Sequence, residues 1–171
     1  MKIIKKILLG ILSLIVLVLI IAAIAPKEMT AESEITIDRP KAEVFDYIKY
    51  VKNQDHFGKW QKMEPDLKKS YEGTDGTPGF KYSWEGDELG NGSQTITKIV
   101  EGERMESELY FGFGEPAQAY FVTKDAGAGK TSVTWGIKGK SMYPLNIMNL
   151  FINMDKDFQE GLQNLKTELE Q

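Results

Sequence analysis

The sequence predicts one α+β domain fastened to a membrane by a single N-terminal helix, and three observations predict it. Residues 7–25 form an uncharged, strongly apolar run. Between residues 67 and 138, six short segments of β character alternate with glycine-rich turns. From Pro144 to the end, apolar residues recur every three or four positions, the spacing of a helix with one greasy side.

In Ile7–Ala25, fourteen of nineteen positions are Ile, Leu or Val. A helix of that length spans roughly 28 Å, close to the hydrocarbon thickness of a bilayer. Lys2, Lys5 and Lys6 precede it and no acidic residue does. Positive charge stays on the cytoplasmic side, so the expected topology is an N-terminus inside and a domain outside. A cleaved signal peptide is the rival reading, since Ala23-Ile24-Ala25 fits a small-x-small site. Against it stand Pro26 at the cleavage position and an apolar run longer than a signal peptide needs. The expected division is therefore residues 1–25 as basic end and signal anchor, 26–33 as linker, and 34–171 as the folded domain.

With three of the 21 basic residues at the extreme N-terminus, the part from Pro26 on carries a net charge of −7. Such a domain repels phosphate, so nucleic acid is not an expected partner. The chain has no cysteine. That removes disulfides, thiolate metal sites, cysteine nucleophiles and lipidation at cysteine. The fold must rest on its core alone.

Glu34–Asp38 alternates as a short strand, with Ile35 and Ile37 on one face. Arg39-Pro40 stops it, and Pro40 suits the first turn of a helix carrying Val44, Phe45 and Ile48. Asn53 can cap a second short helix bearing Phe57 and Trp60. After Pro65 come the strands Leu67–Glu72, Phe80–Glu85, Ser93–Val100, Arg104–Phe111, Ala117–Thr123 and Thr131–Lys138. Their regular spacing predicts an antiparallel meander. Phe80, Tyr82 and Trp84 face one way, as do Met105, Leu109 and Phe111, and Val133, Trp135 and Ile137. Arg104, Glu106 and Glu108 face the other way, so one sheet face is apolar and aromatic. Ile147, Phe151, Met154, Phe158, Leu162, Leu165 and Leu169 predict a final helix of about 25 residues. It alone is long enough to cover that face.

The order strand, two helices, six strands, long helix resembles the START/polyketide-cyclase-like superfamily, often labelled SRPBCC. The resemblance rests on RPKAEVFDYI at 39–48, FGKW at 57–60, GFKYSWEGDELGNGSQTI at 79–96 and TSVTWGIKG at 131–139. It implies a helix-grip fold, a curved antiparallel sheet wrapped around a long C-terminal helix. It also implies a bacterial branch with single-pass anchors, and a cavity between sheet and helix for a lipid or polyketide-like molecule. It supplies no catalytic motif.

Trp60, Tyr82, Trp84, Phe111, Trp135, Met148, Phe151 and Met154 are the candidate cavity lining. Aromatic rings offer flat apolar area and methionine adapts its shape. The competing reading is a filled core. His56, the only histidine, has no second metal ligand or evident nucleophile, so neither metal nor cofactor is expected. Glu85, Asp87 and Glu88 read as a solvated turn, and Arg39 and Arg104 as surface residues. Gly129-Lys130-Thr131 lacks the first glycine of a phosphate loop. The leading expectation is binding of a small hydrophobic or amphipathic ligand at the membrane surface. A cyclase or hydrolase of the same fold would need polar groups converging inside, with Tyr82, Tyr120, Tyr143 and His56 as candidates. A ligand-free envelope interaction module, using residues 111–116, is the third reading.

Overall fold

A computed structural model of the chain describes residues 2–64, 66–151 and 153–171. The boundary placed at Pro65 lies outside the described residues. The chain divides into two compact units, residues 30–139 with 153–171, and residues 1–29 with 140–152.

The larger unit holds nearly all of β1 (Glu28–Ile37), then α2 (Lys41–Ile48), a 3-10 turn (Val51–Asn53), α3 (Gln54–Phe57) and α4 (Lys59–Met63). There follow β2 (Lys68–Glu72), β3 (Lys81–Glu85), β4 (Asn91–Val100), β5 (Arg104–Tyr110), β6 (Ala117–Gly127) and β7 (Lys130–Lys140). The helix α5 (Asp155–Leu169) ends it. The strands form one sheet in the order β1-β7-β6-β5-β4-β3-β2. This is an antiparallel meander with the first strand returned beside the last. Together with α5 packed on the sheet, it is the helix-grip α+β fold.

Local chemistry explains the elements. Pro40 opens α2 without forfeiting a hydrogen bond, and its carbonyl accepts from Glu43 N and Val44 N. α2 buries Val44, Phe45 and Ile48. The expected alternation holds in β3 and β5, where Tyr82 and Met105 are buried between less buried neighbours; in β7 Val133, Trp135 and Ile137 are buried but so are Thr134 and Gly136 between them, and Phe111 is exposed. α5 buries Phe158, Leu162 and Leu165 against the sheet, each contributing about 1.5–3 kcal/mol. The helix comes so close at Gly161 that an added Cβ would lie 2.6 Å from the Trp135 ring.

The polar side of α5 is not simply a solvated face. Asp155 Oδ1 accepts from Glu32 N at 3.0 Å, Lys166 Nζ donates to Thr36 O at 2.7 Å, and Glu170 Oε1 accepts from Asp38 N at 2.6 Å. These contacts occupy main-chain groups along the outer edge of β1. On its other flank α5 holds α3 and α4. Lys59 Nζ reaches Asp157 at 2.7 Å and Glu160 at 3.0 Å, and Asn164 Nδ2 donates to Phe57 O.

Three expectations are corrected. The linker of residues 26–33 is strand from Glu28 on. Asn53 makes no side-chain cap; its Nδ2 donates to Tyr47 O instead. The final helix is 15 residues, not about 25, and Leu145–Leu150 is a separate 3-10 segment. Asn146 and Asn149 account for the break, because their side chains bond elsewhere in the main chain rather than supporting a helix.

The smaller unit contains α1 (Lys2–Ile24), a helix long and apolar enough to cross a membrane. The segment 141–151 caps its C-terminal end. Asn146 Nδ2 donates to Ala22 O (2.7 Å) and Ala25 O (3.2 Å), and Tyr143 Oη donates to Leu19 O (3.2 Å). Asn149 Nδ2 donates to Pro26 O and Glu28 O. The Ala22 carbonyl, which Pro26 at i+4 cannot serve for want of an N–H, is thereby satisfied. Around them Met142, Tyr143, Leu145, Met148, Leu150 and Phe151 are exposed, and no charged residue occurs between Lys140 and Asp155.

Candidate functional site

Within the larger unit, the sheet and α5 pack differently along the helix. Leu162 and Leu165 are fully buried between them. Near the N-terminal end of α5 a cavity of about 130 Å³ remains. β3, β4 and β5 supply Tyr82, Trp84, Gln94 and Leu109, and Phe111 follows directly. β7 supplies Trp135 and Ile137, the α3–α4 turn Gln54, Trp60 and Gln61, and the end of α5 Met154 and Phe158; Leu67 and Leu89 complete the wall. Gln54, Tyr82, Gln94 and Trp135 are buried and form the floor, while Phe111, Leu89 and Met154 reach solvent and form the rim.

Trp135 organises the floor. It stacks on Phe121 at 4.8 Å and meets Phe158 at 4.9 Å and Trp60 edge-on at 6.0 Å. Such offset and edge contacts fix ring orientation beyond their buried area. On the other wall Tyr82 lies 5.5 Å from Tyr71 and 5.4 Å from Trp84, and Trp84 covers Gly92, its cross-strand neighbour. Any Cβ at Gly92 would strike that ring.

Glu64 fastens the rim. Its carboxylate accepts from Asp87 N at 2.7 Å and Leu89 N at 3.0 Å, tying the β3–β4 turn to the end of α4. Those N–H donors, Leu89 first and then Asp87, hold its carboxyl below the usual glutamate range. Burial pushes the Tyr82 hydroxyl far above its ordinary range, and the charge of Asp55 adds to this. Tyr82 therefore stays protonated.

Six of the eight candidate residues meet here: Trp60, Tyr82, Trp84, Phe111, Trp135 and Met154. Met148 and Phe151 do not. Both are exposed residues of the 3-10 segment and its end, in the smaller unit. The break in the expected helix takes them off its apolar face. Of the polar candidates only Tyr82 lines the cavity. Tyr120 lies on the opposite sheet face, where it donates to Glu32 and carries the Arg104 guanidinium over its ring. Tyr143 belongs to the smaller unit, and the exposed His56 shares a hydrogen bond with Tyr47 Oη at 3.0 Å.

The polar lining that sequence reasoning missed consists of Gln54, Gln61 and Gln94. Its signal was present: Gln54 and Gln61 fall at helical spacing with the buried Phe57, and Gln94 shares strand parity with the buried Ile96. Gln94 Nε2 donates to Ser107 Oγ at 3.0 Å. A second depression, about 430 Å³, lies against Lys68, Lys81, Ser83 and Ser93. It is open and polar, and offers no enclosed surface for a ligand.

A seven-stranded antiparallel sheet that grips a C-terminal helix over an apolar recess defines a helix-grip protein of the SRPBCC class. The chain belongs to the polyketide cyclase / dehydrase and lipid transport family, whose model matches residues 28–170. Solved structures agree on the fold. Truncated norcoclaurine synthase from Thalictrum flavum superposes with a TM-score of 0.62 at 8% identity, covering 83% of this chain and 93% of that one. The Aha1 protein of Colwellia psychrerythraea gives 0.59 at 12% identity, with 83% and 96% covered. DynU16, from the dynemicin biosynthetic locus, gives 0.58 at 13% identity and 82% of this chain, which spans only 47% of DynU16. Among curated proteins, none matches.

Proposed function

We propose that the domain binds a small hydrophobic or amphipathic molecule in the cavity between sheet and C-terminal helix, at a membrane surface. The observation that carries this reading is the unfilled space itself. The same interior packs Phe45, Phe57, Phe121, Leu162 and Leu165 without exposure, yet leaves about 130 Å³ among Trp60, Trp84 and Trp135. An apolar cavity of about 150 Å³ is enough to hold benzene, whereas drug-sized ligands occupy about 300–1,000 Å³. The cavity thus suits one ring, or the end of a longer molecule that projects past Phe111. The family's polyketide and lipid associations fit the same chemistry. The apolar span and the positive residues before it support anchoring with the domain outside the cytoplasm. Tethering would favour ligands that concentrate in the bilayer.

All three tryptophans of the chain line this cavity, so their emission reports its occupancy. We expect the full chain in lipid nanodiscs to give a saturable change of tryptophan emission with toluene and naphthalene. Leu109→Phe, which fills the space, should abolish it while leaving the fold intact. A titration that stays linear for the unmodified protein refutes the proposal.

A further inference from the structure

We infer that the molecule held in this cavity is uncharged and carries a hydrogen-bonding head, as a phenol or primary amide does, rather than being a hydrocarbon or a carboxylate. This rests on the binding role proposed above and narrows its ligand. Among the described residues, four buried side-chain polar atoms lack any hydrogen-bond partner: Gln54 Nε2, Gln61 Oε1, Tyr82 Oη and Asn146 Oδ1. Three of the four belong to side chains that line this one cavity. Buried polar groups are almost always paired, so a cluster of exceptions in one place needs a cause. Gln54 and Tyr82 are 3% and 4% exposed, and water outside the cavity does not serve them.

The three atoms define complementary chemistry. Gln54 offers an N–H donor, Gln61 an acceptor, and the Tyr82 hydroxyl can act as either. A hydroxyl or amide head can donate and accept at once, which a hydrocarbon cannot. Among the described residues, no Lys, Arg or His lines the cavity. A carboxylate would therefore be buried without a counter-charge, at a cost far above that of a neutral head. After burial itself, the negative charge of Asp55 acts on Tyr82, and it opposes an anion further.

Three one-ring probes test this: toluene and phenol, equal in size, and the slightly larger benzoate, each titrated against the full chain in nanodiscs and read by tryptophan emission. A purely apolar cavity favours toluene, because phenol must leave its hydroxyl unpaired. Here phenol should bind at least as tightly as toluene, and benzoate should not compete with phenol. In Gln54→Leu/Tyr82→Phe, phenol affinity should fall at least about tenfold while toluene affinity stays within about threefold. If the unmodified protein prefers toluene by about tenfold or more, water or internal bonds satisfy these atoms and the inference is overturned. Benzoate binding as well as phenol overturns it too. Failure of all three probes instead overturns the binding role itself. The selectivity of the unmodified protein decides the matter even if the double variant does not fold.

Discussion

At Glu64 a single carboxylate fixes one side of the cavity rim, because both its oxygens accept main-chain N–H groups of the turn that carries Leu89. Those bonds favour the ionised form and lower its pKa. What they contribute is fully present above the ordinary glutamate range and is lost as pH falls through the lowered value. Hydrogen exchange at the amides of Asp87 and Leu89 should therefore show protection that declines only once pH falls below the ordinary glutamate range. In Glu64→Gln the protection should be weaker and no longer depend on pH there. Equal protection above and below that range in the unmodified protein would show that other contacts hold the turn. Tyr82 behaves oppositely: its raised pKa keeps it a neutral donor throughout the physiological range, which suits recognition better than proton abstraction.

Among the elements, α5 shows what the sequence makes legible and what it conceals. Phe158, Leu162 and Leu165 follow the helical period and are buried as that period requires. The same period continues backwards through Met154, Phe151 and Ile147, yet the helix does not. Asn146, Asn149 and Asn153 interrupt it with side chains that seek main-chain partners, and Asn153 Oδ1 accepts from Asp155 N where α5 begins. Apolar periodicity alone is blind to that competition. The strands were easier, since period-two alternation in sequence sets Tyr82 and Met105 apart from less buried neighbours, although in β7 every residue from Val133 to Ile137 is buried. Their assembly into a cavity depends on where packing stops, which no local pattern records. Gly161 sets the distance between α5 and the sheet. Gly161→Ala should destabilise the protein by about 1–3 kcal/mol, because Trp135 is wedged between Phe121 and Phe158 and cannot withdraw. Thermal unfolding should show a fall of several degrees; an unchanged midpoint would mean the helix stands further off than described.

On the scale of the whole molecule, two compact units share one chain. The smaller pairs the apolar span with the uncharged segment 141–151, whose Leu150 and Phe151 are exposed. Exposed apolar side chains hydrogen-bonded through their segment to the end of such a span suit the headgroup boundary of a bilayer. Because the chain has no cysteine, Phe151→Cys allows one environment-sensitive label. In vesicles that label should be quenched by lipid-borne nitroxides and shielded from aqueous iodide. The reverse pattern would remove this segment from the bilayer without touching the cavity.

The flanks of the sheet carry a last consequence. One outer strand, β1, has its main chain engaged by Asp155, Lys166 and Glu170. The other, β2, is five residues long and begins with two lysines. Open strand margins invite ribbon-to-ribbon growth wherever like molecules collide often. Here each margin is either occupied or short and charged, so crowding finds little template on which fibrils could start.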